Sequence, residues 1–216
     1  MVTKFLQNLC CLPIRLIFRF FFGYQVKTGV DYKDLPKPLI IIANHDTWFD
    51  AFLAGVAFPV FSKIFPIRFA GKTELFENFL SKKFLSLLGA FPVKRKVGLE
   101  ISLELPLKIL RQGGVVLIFP EGTRKKPGEK PIKARRGTAY LALKTGAPIL
   151  PIAIKNAVEL RFKDFILRKR SEKRITILIG KPFSLPPELK YPDDLDKATE
   201  IINKVVIELR ESQKPL

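Results

Sequence analysis

Six short, continuous apolar runs recur along this chain with helix-forming segments between them, and that alternation limits the folds open to it. The runs fall at residues 39–43 (LIIIA), 67–70, 90–93, 115–119 (VVLIF), 149–154 and 175–179 (ITILI). Because they are continuous rather than alternating, the strands they form are expected to be covered on both faces. Helices are expected at 51–58, 74–88, 99–111 and 138–145, the last stopped by Gly146 and Pro148, with 198–210 as a closing helix. The reading is an α/β fold: a single domain over residues 23–216 with a mostly buried mixed sheet flanked by helices, preceded by an amphipathic membrane-associated helix in residues 1–22. Ligands of such sheets gather at the C-terminal ends of strands. The residues just after LIIIA and VVLIF therefore matter most.

The charge balance narrows the partner. Thirty-eight Lys and Arg against 20 Asp and Glu leave a formal net charge of +18 over 216 residues, which requires something anionic: nucleic acid, an anionic membrane or phosphorylated small molecules. Nineteen Phe against four Tyr and one Trp suit lipid better than the mixed aromatic platforms that stack on bases, so no nucleic-acid partner is expected. The two cysteines, Cys10 and Cys11, are adjacent and provide neither a disulfide framework nor a zinc spacing. No metal is expected, and a reducing, cytoplasmic setting follows.

Residues 5–22 read FLQNLCCLPIRLIFRFFF, nearly long enough to cross a bilayer. Gln7, Asn8, Pro13, Arg15 and Arg19 interrupt the run, and each arginine near the bilayer centre costs about 2.5–3.5 kcal/mol. Arg15 and Arg19 lie four apart, on one helical face. The pattern predicts a helix lying in the interface, with both arginines reaching headgroup phosphates at the cytoplasmic face of a membrane. A signal peptide fits less well, since the arginines fall inside its apolar core and no small-residue cleavage site precedes Gly23. A helix packed on the protein's own core is the competing reading.

After the first run comes Asn44-His45-Asp46-Thr47-Trp48-Phe49-Asp50. His45 is the only histidine, and histidine is the residue type that titrates near neutrality. Residues five apart in a regular helix point about 140° apart. His45 and Asp50 can meet only with His45 in the strand-to-helix turn and Asp50 in the helix's first turn. The imidazole would then take a proton from an attacking hydroxyl while the carboxylate held the other ring N–H. Thr47-x-x-Asp50 equally matches a capping box, and the residues by themselves leave both readings open. No G-x-S-x-G elbow occurs and neither cysteine lies nearby. The chemistry that fits is direct attack by an external alcohol, without an acyl-enzyme.

After the VVLIF run the chain reads Phe119-Pro120-Glu121-Gly122-Thr123-Arg124, then Lys125 and Lys126, with Lys133, Arg135, Arg136 and Gly137 downstream. Gly122 allows close backbone approach to a ligand, and Arg124 can grip a phosphate in a bidentate fork. Glu121 can order that fork or bond an acceptor hydroxyl. A strand-ending turn followed by a solvated basic loop accounts for the same residues.

Taken together, NHDTWFD and FPEGTR about 70 residues apart resemble the glycerolipid acyltransferase family that includes the 1-acyl-glycerol-3-phosphate acyltransferases. Lys72-Thr73-Glu74-Leu75-Phe76 followed by Gly89-Ala90-Phe91-Pro92-Val93-Lys94-Arg95 resembles that family's second block, and Ala147-Pro148-Ile149-Leu150-Pro151-Ile152 its apolar fourth. The resemblance covers about residues 26–181. It implies transfer of a fatty acyl group from acyl-CoA or acyl-carrier protein to the free hydroxyl of 1-acyl-glycerol-3-phosphate, with no cofactor besides the donor. It further implies His45 as base, Asp50 as its orienter, and Arg95, Glu121, Gly122, Thr123, Arg124, Arg136 and Gly137 around the acceptor, with Pro151 in a wall along the acyl chain. Glycerol-3-phosphate, a lysophospholipid and a lyso-ornithine lipid are alternative acceptors. A non-catalytic basic protein bound to membrane or nucleic acid would explain the charge and the Phe content. It leaves unexplained why the lone histidine follows a buried strand and precedes an aspartate by five residues.

Overall fold

Ile40 and Ile42 of strand β2 (Leu39–Ala43) pack into one apolar cluster while Leu39, Ile41 and Ala43 pack into another. Alternate side chains of a strand leave opposite faces of a sheet, so β2 is covered on both, as its unbroken apolar run requires. The computed structural model describes residues 2–94, 97–124, 134–157 and 174–212. In chain order its elements are helix α1 (Val2–Phe22), β1 (Gln25–Thr28), β2, α2 (Asp50–Gly55), β3 (Ile67–Lys72), a 3-10 turn (Thr73–Phe76) and α3 (Phe79–Leu87). There follow β4 (Ala90–Val93), α4 (Leu99–Ser102), α5 (Glu104–Arg111), β5 (Val115–Ile118), α6 (Gly137–Thr145), β6 (Ile149–Lys155), β7 (Thr176–Ile179) and α7 (Leu195–Glu211).

The seven strands form one sheet in the order β1-β7-β6-β2-β5-β3-β4. Neighbours are parallel except β6 and β7, which run antiparallel. The sheet is therefore mixed, and β2 sits at its centre between β5 and β6. Helices α1 and α2 lie over the cluster containing Ile41, and α5, α6 and α7 over the cluster containing Ile40.

Two expected helices divide. Pro106 has no N–H for the carbonyl of Ser102 and its ring crowds that carbonyl, so the segment expected as one helix over 99–111 breaks into α4 and α5. Asn78, extended, accepts hydrogen bonds from the Leu80 and Ser81 amides at 2.9 and 3.4 Å. It begins α3 anew after the 3-10 turn. Gly146 ends α6 at φ 65°, its amide bonded to the Ala142 carbonyl at 2.8 Å, as the stop signature predicts.

α1 is two-sided, and its polar interruptions are its attachments. Asn8, Cys11, Phe18 and Phe22 are buried along one face. Gln7 donates to the Ile67 and Leu88 carbonyls and accepts from the Ile67 amide. The Phe61 amide donates to the Asn8 side chain at 2.5 Å. Arg15 Nε donates to the Val56 carbonyl at 2.8 Å, and its Nη2 to that of Phe58. This corrects the expectation that Arg15 and Arg19 both turn outward: only Arg19 is exposed. Carbonyls at and just beyond the end of α2 need donors, and they hold Arg15 inside.

The same packing sets a first prediction. Burying an aromatic side chain stabilises by about 1.5–3 kcal/mol, against a total of about 5–15 kcal/mol for a domain. Deleting residues 1–22 removes Phe18, Phe22 and Cys11 from the core, so a thermal melt followed by circular dichroism should show a markedly lowered or absent transition. A truncated chain melting like the full one would mean that α1 only rests on the domain.

Candidate active site

β2 and β5 are paired side by side, with Ile42 opposite Ile118. Chain segments that follow paired parallel strands emerge together, so the turn after β2 and the turn after β5 converge despite their separation in sequence. Within the first turn Asp50, fully buried, gathers four donors. Its Oδ2 lies 2.9 Å from His45 Nδ1 and accepts from the Asp46 and Thr47 amides at 2.6 and 2.7 Å, while its Oδ1 accepts from the Thr47 hydroxyl at 2.8 Å. One carboxylate thus makes the histidine–aspartate pair and ties off the turn, but the capping box itself does not form: α2 starts at Asp50 with Phe49 at its N-cap, and the Thr47 hydroxyl donates to Asp50. An ionised Asp50 facing Nδ1 holds the proton on that nitrogen and leaves Nε2 as the acceptor. Nε2 makes no hydrogen bond among the described residues. The Phe119 ring stacks on the imidazole with centroids 4.1 Å apart and planes 16° apart, fixing its tilt.

Asn44 anchors this turn to the sheet. Its side chain accepts from the Ile154 amide at 2.7 Å and donates to the Ile154 carbonyl at 3.0 Å, as a strand residue would, and it also donates to Asp46 at 2.8 Å. The second turn supplies Glu121, Gly122, Thr123 and Arg124. Gly122 stands at φ 67°, a backbone conformation that favours glycine, and a Cβ there would displace the flexible end of the Arg135 side chain, 2.9 Å away. The Arg135 amide donates to the Pro120 carbonyl at 2.8 Å, which brings the basic segment back onto the turn. Arg124 lies over the exposed Trp48 ring, 3.9 Å from its centroid. Stacking uses the face of the guanidinium and leaves its N–H edge for an anion.

Glu121 is buried. Burial pushes its carboxyl up to about 7; Arg210 and the His45 backbone amide pull it down, and Asp46 and Asp50 add to the rise. Arg210, from the last turn of α7, donates to Glu121 Oε1 at 3.4 Å and to Asp46 Oδ1 and Oδ2 at 3.2 and 3.3 Å. Glu121 Oε2 is buried and closes no hydrogen bond among the described residues.

The structure therefore brings together His45, Asp50, Glu121, Gly122, Thr123 and Arg124. Arg95 lies outside the described residues. Arg136 differs from expectation: it forms an exposed bidentate pair with Asp196 at 2.6 Å, bracing the start of α6 on α7. Arg135 takes the place next to Gly122 instead. Gly137 opens α6 behind that pair. Pro151 also differs, being buried within β6 beside Ile42 and packed on Gly180. A cleft of about 400 Å³ bounded by Ala142, Gly146, Pro187 and Tyr191 shares no residue with the cluster. It flanks the start of β6, at the opposite end of the parallel strands.

Sequence reasoning gave no role to Asn44, Asp46, Trp48, Arg135 or Arg210. Asn44 and Asp46 flank His45 and carried a signal in their position; Arg210 carried none.

Residues 27–155 match the family model described as Acyltransferase. A 1-acyl-sn-glycerol-3-phosphate acyltransferase of Bacillus subtilis is 30% identical over 211 residues, covering 94% of this chain and 96% of that protein. The human 1-acyl-sn-glycerol-3-phosphate acyltransferase alpha is 28% identical over 197 residues, 88% of this chain and 65% of that protein. The fold matches the crystal structure of the 1-acyl-sn-glycerophosphate (LPA) acyltransferase PlsC from Thermotoga maritima with a TM-score of 0.64 at 20% identity, over 96% of this chain and 83% of that one. With a family model spanning most of the chain and a relative matched almost end to end, this chain belongs to the acyltransferase family and is an O-acyltransferase.

Proposed function

We propose that the chain transfers a fatty acyl group from acyl-CoA or acyl-carrier protein to the free hydroxyl of 1-acyl-glycerol-3-phosphate at a membrane surface. The observation that carries this reading is the His45 Nδ1···Asp50 contact of 2.9 Å, with Nε2 making no hydrogen bond among the described residues, close to an arginine stacked on Trp48 through the face of its guanidinium. Nε2 removes the acceptor's hydroxyl proton as the oxygen bonds to the thioester carbonyl carbon. The tetrahedral intermediate collapses, the C–S bond breaks, and the imidazolium returns the proton to the departing thiolate. Asp50 holds the tautomer and stabilises the imidazolium. Both donors are acidic, as is the acceptor, so the net charge of +18 serves their capture. No cofactor besides the donor enters this scheme.

The reading is tested with purified protein, each donor and a panel of lysolipids, with products identified by mass spectrometry. Phosphatidic acid from 1-acyl-glycerol-3-phosphate is expected; acylation of a different panel member alone would reassign the acceptor. Arg124→Ala should raise the acceptor's KM about tenfold or more, the cost of a charge-assisted bidentate contact, with the donor's KM little changed. A rise confined to the donor would move Arg124 to the donor's phosphates.

Membrane docking belongs to the outer side of α1, where Phe5, Leu9, Leu12, Leu16 and Phe20 are exposed at helical spacing. α3 adjoins it, since Gln7 bonds to the Leu88 carbonyl, and exposes Phe79, Leu80 and Phe84 while burying no residue. Lys82 and Lys83 beside these rings are exposed and match an anionic bilayer, at about 1 kcal/mol per basic residue near the surface. Changing Phe5, Leu9 and Leu16 to serine should leave the melt intact and abolish co-flotation with phosphatidylglycerol vesicles. Undiminished flotation would place the docking surface elsewhere.

A further inference from the structure

Arg210 is a helix-end residue at the far end of the sequence, yet it reaches the two turns of the transfer site. Its Nη2 takes both oxygens of Asp46 at 3.2 and 3.3 Å, and its Nη1 takes Glu121 Oε1 at 3.4 Å. The guanidinium is one-fifth exposed, whereas the Asp46 and Glu121 side chains are 4% and 3% exposed. Two carboxylates withdrawn from water need a cation, and among the described residues Arg210 is the side chain that ion-pairs with either. The Asp46 backbone amide in turn donates to Asp50 at 2.6 Å. A chain of contacts thus runs from α7 through Asp46 to the aspartate behind His45, and through Glu121 to the turn that ends at Arg124.

We propose that Arg210 is a positioning residue for acyl transfer, locking the β2–α2 turn and the turn after β5 into one rigid site and fixing the Glu121 carboxyl through one oxygen while the other, buried, has no partner among the described residues. The role rests on the transfer reading above. Arg210 acts through Asp46 and Glu121 and touches no reacting atom. Its position suits it: α7 packs Leu209 against Leu178 and Ala153, and the next residue turns into the site. The groups facing Glu121 are Arg210 from α7 and Asp46, Asp50 and the His45 amide from the β2–α2 turn. Burial already pushes the Glu121 carboxyl up to about 7 with Arg210 opposing it. Its loss leaves burial and two carboxylates opposed only by one amide, and the carboxyl moves further up.

The test compares wild type, Arg210→Lys and Arg210→Gln for kcat, the KM of each substrate, the pH profile and the Glu121 carboxyl titration by carbon-13 NMR. Arg210→Gln should lower kcat about tenfold to a hundredfold, the cost of roughly 1 Å of misplacement. The donor's KM should stay near wild type. The Glu121 titration and the acidic limb of the profile should rise by about 1–3 pH units. Arg210→Lys, which keeps the charge, should restore the titration and part of kcat. Glu121 and the pH limb unmoved in Arg210→Gln would overturn the proposal, as would equal loss in both variants accompanied only by a lower melting temperature. If Arg210→Gln does not fold, the comparison is wild type with Arg210→Lys alone: a Glu121 titration held near wild type with kcat lowered supports the role, since the charge is kept and the fork across the two turns is lost, and a titration moved away from wild type or an unchanged kcat overturns it. The titration needs no turnover, so failure of the wild type to acylate any lysolipid would sink the transfer reading while leaving the Arg210–Glu121 coupling measurable.

Discussion

His45→Ala should lower turnover by about 10²–10⁴-fold, the usual worth of a positioned general base, and leave the fold standing. The side chain is 22% exposed and, among the described residues, its contacts are the hydrogen bond to Asp50 and the stack on the Phe119 ring, so truncation opens little of the core. No second histidine exists to replace it. Steady-state turnover measured beside a thermal melt decides the matter. A variant that keeps more than a tenth of wild-type turnover would require the proton to leave by another route, and Glu121, buried nearby with its carboxyl pushed up to about 7 by that burial, would become the base to examine.

Asp50→Asn is the second large effect, and it should appear in both stability and turnover. The carboxylate receives four donors: the His45 ring, the Thr47 hydroxyl, and the Asp46 and Thr47 amides. An amide has a single oxygen, so its NH2 must face at least one of those donors. Leaving one buried donor unpaired costs about 1–3 kcal/mol. Turning the NH2 to Nδ1 instead demands the tautomer that places the proton on Nε2, where the acceptor's hydroxyl must be deprotonated. Turnover should then fall nearly as far as in His45→Ala, since the corresponding change in a serine-protease triad costs about 10⁴-fold. A lowered melting temperature with full turnover would reduce Asp50 to a helix cap.

Where sequence reading succeeded, a local pattern and a tertiary demand coincided. LIIIA and VVLIF are strands because both faces of β2 and β5 are covered, and the motif residues follow them because the chain must turn there. Between a capping box and a histidine–aspartate pair the structure has the pair: Asp50 has lone pairs for the His45 ring and for the amides of the turn, but it is the first residue of α2, and Phe49, not Thr47, is the N-cap. Strand β1, with the sequence QVKT, escaped notice because an edge strand needs no apolar run. The inward turn of Arg15 could not be read either: it depends on carbonyls of Val56 and Phe58 brought beside α1 only by the fold. Arg210 is the extreme case. Its neighbours along the chain mark an ordinary amphipathic helix, and its partners are defined entirely by the register of α7 on β6 and β7.

Strand β1 has one neighbour in the sheet, and Gln25 pairs with Thr176. During synthesis β1 must wait for β7, about 150 residues later in the chain, before its backbone is satisfied. Strand pairs so distant in sequence form late, because the long intervening loop must close first. α1 immediately precedes β1 and is made before the strands it packs on, with apolar side chains on both of its faces and no sheet yet to receive the inner one. If the outer stripe docks on a bilayer as proposed above, that surface can receive it before the sheet exists, and the domain that later seats Asn8, Cys11 and Phe18 would be completed on a helix already engaged.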